Sequence, residues 1–355
     1  MRISDIPADS LKVLRRGAAI PAHLLALDAS RKLDARRQRA MTRYYLDAGA
    51  GGVAAGVPST QLAIRDVGLY APVLELAMRT AQDWEPIGGR RPLFMVAGLA
   101  GRTQQAVREA GIARGMGYHA GLLSLTAMKG ASEDALIAHC GAVAEVMPVV
   151  GSCLRPADGG IQLSASFWQR FAAIPNVVAI RMASQDRYRA LDVVRGVVAA
   201  RAEQRVSLYT GNDDHIVLDL LTPLTFVRDG RPLTVRIRGG LLGHWSVWTE
   251  RAVLLLEMIH AAIEDDSIAS ELLAMDAQVT DCNAALFDVA HDFHGCIAGC
   301  HEVLRRQGLL EGIWCLDPKA GLSPGQAEAL TRVSSEYPHL VDDAFVAAHR
   351  ERWLA

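Results

Sequence analysis

The sequence predicts an α/β fold, a (β/α)8 TIM barrel with a C-terminal helical extension, and three observations carry that prediction. Eight short apolar runs alternate with stretches of helical period along the chain. The runs are continuously apolar rather than alternating in and out, as parallel strands covered on both faces are. After the eighth unit a helical region of about 90 residues remains, which divides the chain into a barrel over 1–265 and a C-terminal helical region over 266–355 packed on it.

Taken in order, the strands are expected at 18–27, 52–57, 92–99, 120–125, 147–154, 177–182, 206–209 and 235–241. Between them, Met41, Tyr44, Tyr45 and Ala48 form one helical stripe, stopped by Gly49. Leu136, Ile137, Cys140, Val143 and Ala144 form another, with Ser132 as its N-cap and Glu133 and Asp134 in the first turn. Leu191, Val194 and Val198 make a third, and the eighth helix falls at about 250–265. Pro318, Gly321 and Ser323-Pro324-Gly325 mark a turn between C-terminal helices.

Composition narrows the function. The chain has 355 residues, half of them hydrophobic, and a net charge of −2 with its basic residues scattered. No nucleic-acid footprint or polybasic membrane patch stands out. No stretch reaches the ~20 apolar residues that span a bilayer, and the amino terminus lacks the apolar run of a secretory signal. A cytoplasmic location is expected, with the six cysteines as reduced thiols. Lysine is scarce: Lys12, Lys32, Lys129 and Lys319 stand against 33 arginines.

In a barrel of this kind chemistry sits where strands end. That places Ser59, Thr60 and Gln61 after the second strand, Lys129 after the fourth and Cys153 at the end of the fifth. Arg181 lies in the sixth, Asn212 with Asp213, Asp214 and His215 after the seventh, and Gly239 in the eighth.

Several blocks resemble the dihydrodipicolinate synthase and N-acetylneuraminate lyase family. They are Leu33-Asp34 through Tyr44-Tyr45-Leu46-Asp47-Ala48-Gly49 to Val53, Arg102-Thr103-Gln104-Gln105-Ala106, Ile174-Pro175-Asn176-Val177-Val178-Ala179-Ile180, and His294-Gly295-Cys296 to Gly308-Leu309 with Leu322-Ser323-Pro324. Together they run in order over about 15–335. The resemblance implies a lyase or aldolase that condenses or cleaves 2-keto acids, usually pyruvate, and a homo-oligomer (dimer or tetramer); no cofactor is expected. It also implies a strand-six lysine forming an imine, a strand-five tyrosine relaying protons, and a Gly-Thr-Thr-Gly-Glu turn holding the carboxylate. The lysine position here is Arg181, the tyrosine position falls at Ser152 or Cys153, and the turn reads Gly56-Val57-Pro58-Ser59-Thr60-Gln61. A guanidinium has no free amine lone pair and cannot form an imine.

Each candidate has a plainer alternative. Arg181 either binds a carboxylate bidentately or pairs with Asp213 or Asp214. Lys129 is a substitute imine lysine or a solvated loop residue, and the adjacent Gly130-Ala131-Ser132 favours the loop. Ser59, Thr60 and Gln61 bind a carboxylate or cap the next short helix. Cys153 is a nucleophile or an inert buried thiol, and its apolar neighbours favour the latter. Asp213, Asp214 and His215 are a metal cluster, implying a metal-assisted lyase, or acids at a helix start. His291, His294, Cys296, Cys300 and His301 lack zinc-site spacing and read as core, with Phe293, Ile297, Cys300 and Leu304 as a stripe. The glycines of 49–52 precede a strand, the reverse of a dinucleotide loop. No metal site is therefore expected. The expected function is a keto- or hydroxy-acid lyase without the imine; the alternative is a barrel that binds such a ligand without catalysis.

Overall fold

The apolar runs become strands. In the computed structural model, which describes residues 1–154, 159–183 and 185–355, β1 is Ala19–Pro21, β2 Ala54–Ala55, β3 Val96–Leu99, β4 Ala120–Leu123 and β5 Val149–Leu154. They are followed by β6 Val177–Ala183, β7 Ser207–Thr210, a hairpin of β8 Leu224–Arg228 and β9 Arg231–Val235, and β10 Gly239–Leu242. One eight-stranded sheet runs β1-β10-β7-β6-β5-β4-β3-β2. Every pair of that sheet with a described register is parallel. Beside β1 and β2, Ala22 bridges Ala54 in parallel, so the two ends of the order meet and the sheet is a barrel.

Helices follow the strands: α1 Ala8–Arg16 before the barrel, then α2 Ala35–Asp47, α3 Tyr70–Asp83, α4 Thr103–Gly115, α5 Glu133–Ala144 and α6 Ala165–Ala173. Next come α7 Arg187–Ala199, α8 Ile216–Leu221 and α9 Thr249–Glu264, and the C-terminal α10 Ser270–Leu286, α11 Cys296–Arg306, α12 Gln326–Glu336 and α13 Asp343–Leu354. Among the described residues no helix is long and apolar enough to cross a membrane.

Most of the expected local signals hold, and one stripe holds only in part. Met41, Tyr44 and Tyr45 are buried on α2. Ser132 caps α5 by accepting a hydrogen bond from the Ala135 amide at 3.3 Å. In α11, Cys300 and Leu304 are buried, whereas Phe293 precedes the helix and Ile297 is only half-buried.

The chain groups into two compact units, one of residues 1–18, 94–212 and 218–241, the other of 19–93, 213–217 and 242–355. The first is centred on Phe167, Trp168 and Phe171 of α6, rings 5.2–6.1 Å apart, and is tied at its start by Asn176, whose amide donates to the Met1 and Ala144 carbonyls. The second is centred on Tyr44, whose ring lies 5.3 Å from those of Tyr45 and Trp353.

The eighth strand is displaced from its expected place. Val235 closes the β8–β9 hairpin, and the barrel strand begins only at Gly239. Asp229 and Gly230 both take positive φ, 54° and 73°, in the two-residue turn whose backbone twist suits a hairpin. Leu224, Phe226 and Arg228 alternate with the more exposed Thr225 and Val227, which is strand rather than helix patterning. A side chain at Gly230 must sit in the left-handed region, at a cost of about 1–2 kcal/mol. Gly230→Val is expected to lower the unfolding free energy read from urea titration by that amount and to open the hairpin to protease; an unchanged cleavage pattern within 224–235 counts against it.

Candidate functional site

Arg181 interrupts an otherwise apolar β6 and is half-buried. Its register pairs it with Ser152 of β5 and Tyr209 of β7. Residues paired in register on parallel strands share a face. A Cβ on the preceding Gly151 would lie 2.6 Å from the Phe171 ring of α6, so Gly151 faces the helices and Ser152, Arg181 and Tyr209 face the barrel interior.

The Arg181 side chain crosses the end of β7. Its Nε donates to the Leu241 carbonyl of β10 at 2.7 Å, and Nη2 reaches toward the Gly211 carbonyl at 3.5 Å. The crossing needs glycine at 211, because a Cβ there would come within 2.5 Å of Nε. Gly211 follows β7 and Leu241 lies near the end of β10, so the guanidinium occupies the C-terminal mouth, the catalytic end of such barrels. With the plane of the fork set by Leu241, its Nη edge is the part that a planar carboxylate pairs with.

Asn212 comes next in the chain. It is 5% exposed, and its Oδ1 has no hydrogen-bond partner among the described residues. Its amide donates to Thr210 Oγ1 at 3.1 Å, Thr210 Oγ1 donates to Asp219 at 2.9 Å, and Asp219 meets Arg187 at 3.4 Å. This chain fixes the Asn212 backbone and leaves a buried acceptor unsatisfied, which is costly unless something else donates to it.

Tyr209 is fully buried and points the other way. Its Oη donates to the Leu14 carbonyl and accepts from the Ala18 amide, and burial raises its pKa. Gly239 opens β10 at that same end, against the Ala18 backbone and the Tyr209 ring. It is therefore not at the mouth with Arg181.

Cys153 alternates onto the helix side with Gly151. Burial pushes its thiol up to about 12; nearby Arg189 of α7 opposes the shift, and Asp186 and Asp192 add to it. A protonated thiol there is not a nucleophile at neutral pH. Lys129 is exposed, at the end of a single turn over Thr126–Met128. Lys12, Lys32 and Lys319 are exposed as well.

In the other unit, the turn after β2 is a 3-10 helix, Pro58–Thr60. Thr60 is fully buried; its hydroxyl donates to the His23 carbonyl at 2.6 Å and accepts from the Gly56 amide at 3.1 Å, so it locks the turn. Ser59 is half-buried beside it. Gln61 has φ of 66°, accepts from the Leu316 amide at 2.7 Å, and has a buried Nε2 with no partner.

Asp213, Asp214 and His215 form a 3-10 turn that runs directly into α8, so the acids stand at a helix start, as expected. Asp213 Oδ1 accepts from the His244 amide at 3.0 Å, and His215 Nδ1 meets Asp276 at 2.9 Å. Asp213 and His215 diverge onto separate partners, and among the described residues no group of three or more His, Cys, Asp or Glu could hold a metal ion. His301 is buried and neutral, its pKa near 4 through burial, with Nδ1 4.0 Å from Cys315 Sγ.

The mouth of the first unit thus holds a fixed guanidinium, a hydroxyl and an orphaned amide oxygen. That set can bind and orient an acid. Sequence reasoning missed the Thr210–Asp219 support and the Asn212 orphan, for which periodicity gives no signal.

These features define a class: a (β/α)8 barrel with a guanidinium at its C-terminal mouth. No protein-family profile matches the chain. A 4-hydroxy-tetrahydrodipicolinate synthase of Halorhodospira halophila is 24% identical over 182 residues, which is 51% of this chain and 57% of that protein. The chain therefore matches little more than half the length of this curated relative. Among solved structures, a dihydrodipicolinate synthase of Acinetobacter baumannii complexed with pyruvate superposes with a TM-score of 0.73 at 17% identity, covering 91% of this chain and 99% of that one. An N-acetylneuraminate lyase of Fusobacterium nucleatum gives 0.72 at 13% identity, with 91% and 99% covered. The fold is that of the dihydrodipicolinate synthase and N-acetylneuraminate lyase barrels, and the resemblance seen in the sequence holds in three dimensions.

Proposed function

We propose that the chain is a divergent lyase of the dihydrodipicolinate synthase type that binds a small keto- or hydroxy-acid through Arg181, in the position of the imine lysine, and acts without an imine. The observation that carries this reading is the side chain at the mouth. A permanently charged fork anchored on Leu241 stands there, and all four lysines of the chain are exposed. An imine lysine works by being desolvated to a depressed pKa, and exposed amines do not meet that condition.

Arg181 receives the carboxylate, Ser152 lies on the same face one strand away, and Asn212 Oδ1 accepts a hydrogen bond from a ligand hydroxyl. A hydroxy-acid satisfies both the cation and the orphaned acceptor, so it fits the set better than a plain keto-acid. Lys129, Cys153 and Gly239 fall outside this set, and Thr60 supports its own turn. The chain's other expected traits belong to the reading too: a barrel over 1–265 carrying helices over 266–355, self-association into a dimer or tetramer, and a reducing, cytoplasmic setting. All six cysteines are free, which supports the last.

The test is a calorimetric titration with pyruvate and lactate alongside their methyl esters, with turnover followed by proton NMR. Saturable binding of the acids but not the esters is expected, because the ester removes the charge that Arg181 recognises. Equal binding of acid and ester sinks the proposal. A second reading, a barrel that binds the acid without turning it over, is favoured by the raised pKa of Cys153 and the exposure of Lys129, which leave neither as a nucleophile. Acid binding with no product in the NMR experiment selects it.

A further inference from the structure

The first unit also carries a half-open cavity at the other end of its strands. It measures about 260 Å³, close to the ~300 Å³ lower bound of small-molecule sites. Its walls are the last turn of α1 at Arg15, the entry into β7, the β9 strand at Thr234, and the segment leading into β10 with Arg236 and Arg238. Ser207 begins β7 and Arg238 immediately precedes β10, so these strands enter the barrel here and leave it at Arg181.

We propose that this cavity is a second ligand site that binds a small polyanion, a phosphate ester or a di- or tricarboxylate, at the N-terminal face of the barrel. Three guanidinium groups line it. Among the described lining residues Glu203 is the one acid, and it is already committed: Arg228 of the hairpin grips it with two hydrogen bonds of 3.0 and 2.8 Å. That grip holds its carboxyl below the usual carboxylate range. The lining is therefore net positive even though the chain as a whole is net negative.

One of these cations is fixed to the wall, and the other two are carried on fixed backbone with exposed side chains. Arg236 Nη1 donates to the Leu221 carbonyl at the end of α8 at 2.8 Å, which pins the guanidinium to the wall. The Arg238 amide donates to the Leu208 carbonyl of β7 at 2.9 Å, which fixes the backbone that carries its side chain. Arg15 stands on the last turn of a helix whose Leu14 carbonyl is held by the Tyr209 hydroxyl at 2.9 Å. Several guanidinium groups converging on one concave site are what multiply charged oxyanions select. The hairpin that supplies one wall and the grip on Glu203 is the element inserted between α8 and β10. The insertion thus builds the site, which owes nothing to the mouth.

The experiment is isothermal titration calorimetry of the full chain carrying Arg181→Ala, which weakens carboxylate binding at the mouth, with citrate and, separately, with glycerol 3-phosphate, which distinguishes the carboxylate from the phosphate source. One of the two is expected to bind this chain saturably, with affinity falling as salt is raised. Adding Arg15→Glu, at an exposed helical position, should weaken that binding at least 10-fold, and adding Arg238→Glu should do the same. The proposal is overturned if neither probe binds the Arg181→Ala chain, and equally if the folded combination with Arg15→Glu binds as that chain does. Should Arg238→Glu fail to fold by circular dichroism, Arg15→Glu decides alone.

Discussion

Arg181→Ala should weaken the binding of small carboxylic acids about 10- to 100-fold while leaving the protein folded. A hydrogen bond to a charged group contributes about 1.5–3 kcal/mol, and each 1.4 kcal/mol is a factor of ten in affinity. The substitution removes the fork and the anchoring bond to the Leu241 carbonyl together. That carbonyl lies at the mouth, where water can replace the lost donor. Gly211→Ala should reproduce part of the loss, because its methyl would occupy the path of the Arg181 side chain, within 2.5 Å of Nε. The Arg181→Ala/Gly211→Ala double variant should then be no worse than Arg181→Ala alone, since the second change acts only through the first side chain. Calorimetry on the three variants reads this out. Additive losses would mean that residue 211 contacts the ligand directly and that the crossing geometry is not what matters.

The second large effect lies in the other unit and concerns stability. Asp342 is fully buried ahead of α13 and accepts from the Tyr44 hydroxyl at 2.7 Å, the Gln307 amide at 2.8 Å and the Glu250 backbone at 3.2 Å. Tyr44 in turn accepts from the Thr249 amide at 2.7 Å. One carboxyl therefore joins α2, the start of α9, the end of α11 and α13. Asp342→Ala leaves the Tyr44 hydroxyl and the Glu250 amide without this acceptor, while the Gln307 amide keeps Asp343 Oδ1 at 2.8 Å, and should cost about 3–5 kcal/mol.

Burial raises the Asp342 pKa from 3.8 to about 6. Between these values the unfolded chain has released the proton and the folded chain keeps it. Folding is thus favoured most below pH 4, and this group's contribution falls as pH rises toward 6 and is flat above. Two pKa units amount to roughly 3 kcal/mol. Asp342→Asn removes the titration, so the stability of the wild type relative to this variant should drop by about that much between pH 4 and pH 6. Urea unfolding of both proteins across that range measures it. A difference that stays constant or rises with pH contradicts a carboxyl neutralised by burial.

The barrel was legible because its physics is periodic. Continuous apolar runs such as 177–180 and stripes such as Met41, Tyr44 and Tyr45 report burial on two faces or one, and both hold. Strand eight was misplaced for a local reason. Val235 and Ile237 look continuous with Leu241, yet the Asp229-Gly230 pair between two alternating runs is itself a strong hairpin signal and was passed over. In the site, Arg181 was visible as a cation in an apolar strand. The fate of the other candidates was not visible. Thr60 is consumed by a carbonyl 37 residues away, and the unsatisfied oxygen of Asn212 is a fact of side-chain burial. No spacing rule encodes either. Asp213, Asp214 and His215 look like ligands in sequence because they are adjacent, and adjacency in a 3-10 turn sends Asp213 and His215 to different partners.

The most direct measurement of the central claim is intact mass spectrometry after incubating the wild type with pyruvate and borohydride, with Arg181→Lys treated in parallel. A guanidinium at the mouth predicts no covalent gain in the wild type and slow adduct formation in the lysine variant, confined to residue 181. A trapped pyruvyl adduct on Lys12, Lys32, Lys129 or Lys319 of the wild type would contradict the account.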